Sequence, residues 1–344
     1  MATCDGVPIA RHENGLSTRN DMAVLAEADS GGRRAGIRKP GIRPGSRTPV
    51  SEARFASRWQ LPPGDWATVL DGLCARFPAV GRGGWRDRMQ RGLVRDRDGR
   101  PIAPAAPYRV GLELSYQREV PDEVEIPFQA RVVHRDADLL VADKPHFLPV
   151  QPSGARVEQT LLRRLAREHG LGDLVPLHRI DRATAGLVMF SLNPATRAAY
   201  QALFREHRIR KRYLALAPAL PGLDFPLVRR TRLEPAQPFF RMAEVAGPAN
   251  TESRIVPDLA EGPVWRYALT PKTGRKHQLR VHMAALGAPI LNDPWYPSPK
   301  EPIADDHARP LKLLAESLAF DDPLTGAART FRSELSLDDP SDPV

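Results

Sequence analysis

Cysteine is nearly absent: Cys4 and Cys74 are the only two in 344 residues, which excludes a disulfide framework and a cysteine-built metal centre. No run approaches the roughly 18 apolar residues of a membrane span. The N-terminus also lacks a basic start followed by an apolar signal core. These absences point to a soluble, cytoplasmic chain with no membrane partner. Lysine is scarce too, supplying 7 of 50 basic residues against 43 arginines. Arginine suits phosphate forks and base stacking, and a GC-rich genome produces the same bias, so the skew decides nothing alone. What is present is a net charge of +9 and 42% hydrophobic residues. The charge fits a polyanionic partner, and the apolar content exceeds what one compact domain needs.

Residues 1–54 read as a disordered basic tail. From Gly31 to Ser51 they mix Gly, Pro, Ser and Arg, and Arg33, Arg34, Arg38, Lys39, Arg43 and Arg47 face no acid in that interval. Such a segment buries too little apolar surface to offset its ordering entropy. It is either a solvated leader or a loose tethering arm. Residues 55–122 read as a small module. Trp66, Val69, Leu70, Leu73 and Phe77 predict a helix from Trp66 onward, and Trp85, Met89 and Leu93 a second one. Gly92–Ile102 then predicts strand, Asp-Gly turn, strand, and Tyr108–Tyr116 alternates as a further strand. A linker over Glu119–Pro127 leads to a large domain over 128–335, with a tail at 336–344. There, short strands flank a polar turn around Asp136, Thr160–Ala166 is helical, and Gly186–Ser191 is a buried strand. Pro194 falls at the first turn of a helix through Tyr200, Leu203 and Phe204. The basic run Arg208–Arg212 precedes a strand at Tyr213–Leu216, and Trp265–Leu269 is another.

Within this domain, His178-Arg179-Ile180-Asp181-Arg182-Ala183-Thr184-Ala185-Gly186-Leu187 resembles the catalytic loop of the RluA-type pseudouridine synthases, H-R-L-D-x-x-T-S-G-L. Val132 to Pro145 resembles that family's opening block, whose D-x-x-L-L-V-x-x-K-P falls on Asp136 to Pro145. Thr273-Gly274-Arg275-Lys276-His277-Gln278-Leu279-Arg280-Val281-His282 resembles its T-G-R-x-H-Q-I-R-V-H block, and Gly287–Asp293 its G-x-P-I-x-G-D tail. Leu314–Phe331 resembles its closing strands. Three positions depart: Gln151 stands where the family has histidine, Ala185 where it has serine, and Asn292 where it has glycine. The small module resembles the RNA-binding domain named for ribosomal small-subunit protein four, with a plain packing domain as its rival.

The resemblance implies an α+β pseudouridine synthase fold, a mixed, mostly antiparallel sheet flanked by helices, joined to a small N-terminal α/β RNA-binding-like domain. It implies an isomerase that converts uridine in structured RNA to pseudouridine. Ribosomal RNA is the favoured partner over transfer RNA, the protein acts as a monomer, and no metal or organic cofactor is implied. Asp181 would be the nucleophile or charge stabiliser. A carboxylate in a partly closed pocket needs a nearby cation to stay ionised, and Arg280 falls in the motif's partner position. Arg280 lies about one 100° step from the apolar side of its helix, which allows it to line a cleft edge. Tyr213 would pack its ring on the uracil and assist proton removal. Arg179 would fill the gap left by a flipped nucleotide or hold its phosphate. Lys211, Arg212, Arg275 and Lys276 would contact phosphates, and His178 and His277 would be structural or touch RNA. A metal role for these histidines is rejected, because His277 and His282 are five residues apart and off a shared helical face. The rivals are a non-catalytic RNA-binding or ribosome-assembly protein on the same fold and a carboxylate-dependent hydrolase. The latter normally needs paired carboxylates, and no second acid is read in the matched motifs.

Overall fold

The computed structural model describes residues 56–120, 123–154, 156–298 and 305–337. The tail expected over 1–54 and positions 338–344 of the C-terminal tail lie outside these residues. No helix among the described residues is long and apolar enough to cross a membrane.

The first body is organised by a helix cap. The Thr68 hydroxyl accepts the Asp71 N–H at 3.2 Å, and the Asp71 carboxylate accepts the Thr68 N–H at 3.0 Å. This reciprocal capping box starts α1 (Val69–Arg76) after Trp66 rather than at it. Trp66 instead meets Tyr108 edge-on, with centroids 5.1 Å apart. Helix α2 (Gly81–Gln90) buries Trp85 and Met89 and ends before Leu93. Strands β1 (Ser57–Gln60), β2 (Val94–Asp96) and β3 (Glu113–Tyr116) form an antiparallel sheet in the order β1-β3-β2. The second arm of the expected hairpin shrinks to one bridge, Arg95 to Pro101, since proline has no N–H to extend a ladder. The strand expected from Tyr108 is confined to its last four residues, Gly111 turning the chain at φ 82°. The core of this body, centred on Leu73, Trp85 and Leu114, draws only on residues between 59 and 116.

The second body is built on a sheet whose strands run β4 (Arg131–Arg135), β5 (Leu139–Lys144), β6 (Val175–Pro176), β7 (Ala185–Ser191), β8 (Arg210–Pro218), β9 (Leu227–Pro235), β10 (Met242–Val245), β11 (Thr251–Leu259), β12 (Val264–Pro271), β13 (Leu313–Asp321) and β14 (Ala328–Arg332) along the chain. In space the order is β10-β9-β11-β12-β8-β13-β7-β5-β4, with β14 beside β13 and β6 beside β7. Among the described residues only β13 and β7 pair in parallel. This mixed, mostly antiparallel sheet with its helices is the α+β architecture implied above. Residues alternate faces along a strand, so β5 and β7 feed two cores. Leu140, Ala142, Val188 and Phe190 face α3 (Leu161–His169), while Leu139, Val141, Leu187 and Met189 face α4 (Arg197–Arg205). A third core lies where α5 (Gln278–Ala285) sets Leu279 and Met283 on Ala215, Ile255 and Tyr267.

Two local expectations are corrected here. Pro194 sits in the turn before α4, where the Asn193 side chain accepts the Ala195 N–H at 3.0 Å and holds the chain out of the helix. The basic residues Arg210–Arg212 are the opening of β8 itself, not a run ahead of it, because the ladder with β13 continues through all three.

Candidate active site

Sheet order gathers the site. Strand β13 inserts between β7 and β8, so Ala315 pairs with Gly186 on one side and Tyr213 on the other. The loop entering β7 therefore ends next to Tyr213. The approach is close: Gly186 has φ 107°, and a Cβ built on it would fall 2.3 Å from the Ala315 carbonyl oxygen. Only glycine fits there. Ala185, in place of the family's serine, is buried with Leu314 and Leu337, an apolar setting in which a methyl needs no partner. Asn292 adopts φ 61° and donates its side-chain N–H to the Pro310 carbonyl at 3.0 Å. Asparagine tolerates the left-handed region better than most residues, which accounts for its standing where glycine is usual.

Arg280 does not line a cleft edge. It is 1% exposed, enclosed because α5 is buried on nearly all sides. Its Nε and Nη2 donate to the two Asp293 oxygens at 2.8 and 2.7 Å, a bidentate fork. Its Nη1 donates to Asp181 Oδ2 at 3.3 Å. The Trp295 and Tyr296 rings flank the guanidinium at 4.9 and 5.2 Å, and their backbone N–H groups both donate to Asp293 Oδ1. Burial works against the Arg280 charge, but the hydrogen bonds and charge of Asp293, then the charge of Asp181, hold its pKa above the ordinary value. Asp293, in the G-x-P-I-x-G-D tail, corrects the expectation that the matched motifs hold no second acid; an acid following a residue that stands in for glycine was the available signal.

The backbone beyond Asp181 is held from β5. Buried Lys144 donates Nζ to the carbonyls of Pro145 and Arg182, at 2.8 and 3.1 Å. Burial pushes this ammonium down to about 7, against the pull of Asp181. His146 Nδ1 contacts the Ala183 carbonyl at 2.7 Å, so that nitrogen carries the proton. Burial pushes His146 down to about 4. Arg182 forks onto Asp305 at 2.5 and 2.8 Å. Neither Lys144 nor His146 was singled out in the sequence, since a lysine before proline reads as a surface residue.

Tyr213 is half-buried, and burial, then the Asp181 charge, raises its phenol above the ordinary range. His277 caps α5 at φ 56°, with Nδ1 2.9 Å from the Tyr296 hydroxyl and Nε2 4.0 Å from Asp181 Oδ2. Burial pushes it down to about 4, leaving a neutral ring at neutral pH. His178 accepts the Met189 N–H on Nε2 at 3.0 Å and stacks on Phe204. Lys211 donates to the Thr273 carbonyl at 3.1 Å, and burial pushes it down to about 8. Arg212 pairs with Asp258 and Glu316. Arg179, Arg275 and Lys276 are exposed. The turn bearing the last two is clamped by Gln278, whose Oε1 accepts from the Thr273 hydroxyl and the Arg275 N–H at 2.8 and 3.1 Å. The fold thus brings Asp181, Arg280 and His277 together with Tyr213 nearby, while His178 and Arg212 are engaged elsewhere.

A family model described as RNA pseudouridylate synthase matches residues 138–285. An uncharacterized RNA pseudouridine synthase of Synechocystis sp. is 33% identical over 251 residues, covering 70% of this chain and 84% of that protein. The dual-specificity RNA pseudouridine synthase RluA of Escherichia coli (strain K12) is 35% identical over 210 residues, covering 59% of this chain and 91% of its own length. Among solved structures, human RNA pseudouridylate synthase domain containing 1 aligns at 24% identity and a TM-score of 0.49, over 61% of this chain and 85% of that one. The matched span runs from the strand that holds the Asp181 loop to the end of the helix that carries Arg280, and the chain belongs to the RluA-type RNA pseudouridine synthases, a family of isomerases.

Proposed function

We propose that this enzyme converts specific uridines of structured RNA to pseudouridine with Asp181 as its catalytic carboxylate. Ribosomal RNA is the favoured substrate and transfer RNA the second. The reaction breaks the C1′–N1 bond, turns the uracil, forms a C1′–C5 bond and moves the C5 proton, with no redox change. The observation that carries this reading is the Asp181–Arg280–Asp293 array, in which partly exposed Asp181 meets a guanidinium buried together with Asp293. Asp293 occupies two of the guanidinium's donors, so the Nη1 edge is the one turned to Asp181. A carboxylate so paired is available to the anomeric carbon or the base without a metal ligand set. Tyr213 supplies a ring to lie against the uracil. Its raised phenol stays protonated in the free enzyme, which favours packing and hydrogen-bond donation over proton removal. Exposed Arg179, two residues before Asp181, would occupy the place of the extruded nucleotide, and flipping costs only a few kcal/mol. Arg275 and Lys276, with Lys211 behind them, would hold phosphates. His178 and His277 would serve by positioning the loop and the helix start.

We further propose that residues 55–122 form an RNA-binding module, for which the exposed Arg76 and Arg86 give support. The catalytic domain would run from 128 to 337, since Leu337 packs on Ala185 and Leu314. The enzyme would work as a cytoplasmic monomer.

The test is pseudouridine mapping of total RNA from cells with and without the gene, rescued by wild type or Asp181→Asn. A defined site that is lost, and restored only by wild type, is expected. Restoration by Asp181→Asn would remove the aspartate from the mechanism. No changed site in ribosomal or transfer RNA would favour the non-catalytic rival, and free uracil released in vitro would favour the hydrolase.

A further inference from the structure

The turn between β9 and β10, residues 236–241, carries the most exposed large apolar side chain among the described residues: Phe239, 83% exposed. The turn is braced rather than loose. Ala236 N–H donates to the Arg241 carbonyl at 3.2 Å, and Arg241 N–H to the Pro238 carbonyl at 2.9 Å. Its base is packed against α5, where Leu233 and Met242 join Val281 and Tyr296. A single exposed phenylalanine means little. This one heads a series of ring contacts that ends at the catalytic array. Phe239 meets Phe240 at 5.6 Å, Phe240 meets Trp295 at 5.0 Å, and Trp295 lies 5.0 Å from His277 and 4.9 Å from the Arg280 guanidinium. Phe240 and Trp295 are each half-buried, so both keep part of their surface in solvent. Lys276 and Arg275, both exposed, directly precede His277 in the chain.

We propose that Phe239, Phe240 and Trp295 form a stacking ladder for unpaired nucleobases next to the target uridine, with Arg275 and Lys276 on the intervening phosphates. This rests on the proposed function, because it takes the uridine to sit at Asp181. The ladder begins at the guanidinium paired with that carboxylate, so its nearest occupant is the same RNA strand. Aromatic side chains stack any base and so bind strands with little sequence demand. Specificity would then come from how a substrate presents its unpaired neighbours, not from reading their edges.

The test compares binding of a fluorescein-labelled oligouridylate of about twelve nucleotides with an abasic ribose-phosphate oligomer of equal length and charge. Wild type is expected to prefer the base-bearing oligomer. Phe239→Ala is expected to weaken oligouridylate binding by about fivefold to a hundredfold, the range of one lost base stack, and leave the abasic oligomer unaffected. Phe239→Trp is expected to restore the preference. The melting temperature of Phe239→Ala serves as the folding control, and little change is expected for so exposed a side chain. Unchanged oligouridylate binding in Phe239→Ala would overturn the ladder. So would an equal loss on both oligomers, which would assign the tip to structure. Asp181→Asn is carried alongside: it abolishes modification if the catalytic reading is right and retains the oligouridylate preference if the ladder is right, so either can fail without the other.

Discussion

Arg280 illustrates what a single residue needs in order to be useful while buried. A lone guanidinium inside a protein is strongly disfavoured, and one carboxylate at 3.3 Å would hold it weakly. Asp293 supplies the bidentate fork that makes the position tenable, and on the proposed mechanism it would act through Arg280 as a positioning residue. Removing one partner of a buried pair costs about 3–5 kcal/mol. Asp293→Ala is therefore expected to lose most of that range in urea unfolding. Asp293→Asn keeps an amide oxygen for one donor and should lose less stability, yet lower kcat at least tenfold with KM little changed, since Arg280 is freed to shift off Asp181. Equal falls in activity and folded fraction would mean Asp293 serves stability alone. At this scale the motifs marked Asp181 and Arg280, and the wider resemblance added Tyr213 by its place after the basic run. It concealed the burial of Arg280, because amphipathic reasoning assumes a helix with one wet face and α5 has almost none. Lys144 and His146 stayed hidden for a related reason: their function is to bind backbone carbonyls, and nothing in a sequence marks which carbonyls lack partners.

Two elements approach backbone to backbone where β7 lies beside β13. Gly186→Ala is expected to destabilise the protein by at least about 2 kcal/mol, combining a strained positive φ with a methyl driven into backbone rather than a movable side chain. The amides of Leu314 and Ala315 should exchange faster with solvent, and activity should fall with them because Tyr213 pairs with the same Ala315. A variant within 0.5 kcal/mol of wild type, about the size of an ordinary surface change, would show that the two strands separate freely. Period and turn chemistry made most of these elements legible: β4 and β5 as short strands around a polar turn, β7 as an apolar run, α3 and α4 by spacing. The misplaced boundaries have local causes. A capping box delayed α1 past Trp66, Asn193 kept Pro194 out of α4, and strand pairing drew a basic run into β8.

For the whole molecule, strand order was the least legible property. Nothing local announces that β13, some hundred residues later in the chain, slips between β7 and β8, though that insertion is what sets the Asp181 loop beside Tyr213. A property that is global in another sense follows from burial of polar groups: how stability depends on pH. His146, His277 and His282 are all buried and pushed down to about 4, principally by burial. In the unfolded chain each would titrate near its usual pKa of about 6.5. Between those values the unfolded state binds more protons, so their stabilising effect is complete above about pH 6.5 and is lost as pH falls through about 4. Each contributes up to about 1.4 kcal/mol per pH unit within that window. Asp143, raised by burial, works in the opposite direction. Unfolding free energies from urea titrations at steps between pH 4 and 7 should therefore fall steeply toward acid. His146→Gln keeps an amide donor for the Ala183 carbonyl and is expected to flatten that slope by about one histidine's share. An unaltered slope in that variant would mean the ring already carries its proton in the folded enzyme. In that case the Asp181 loop would be held by a cation and not by a neutral imidazole.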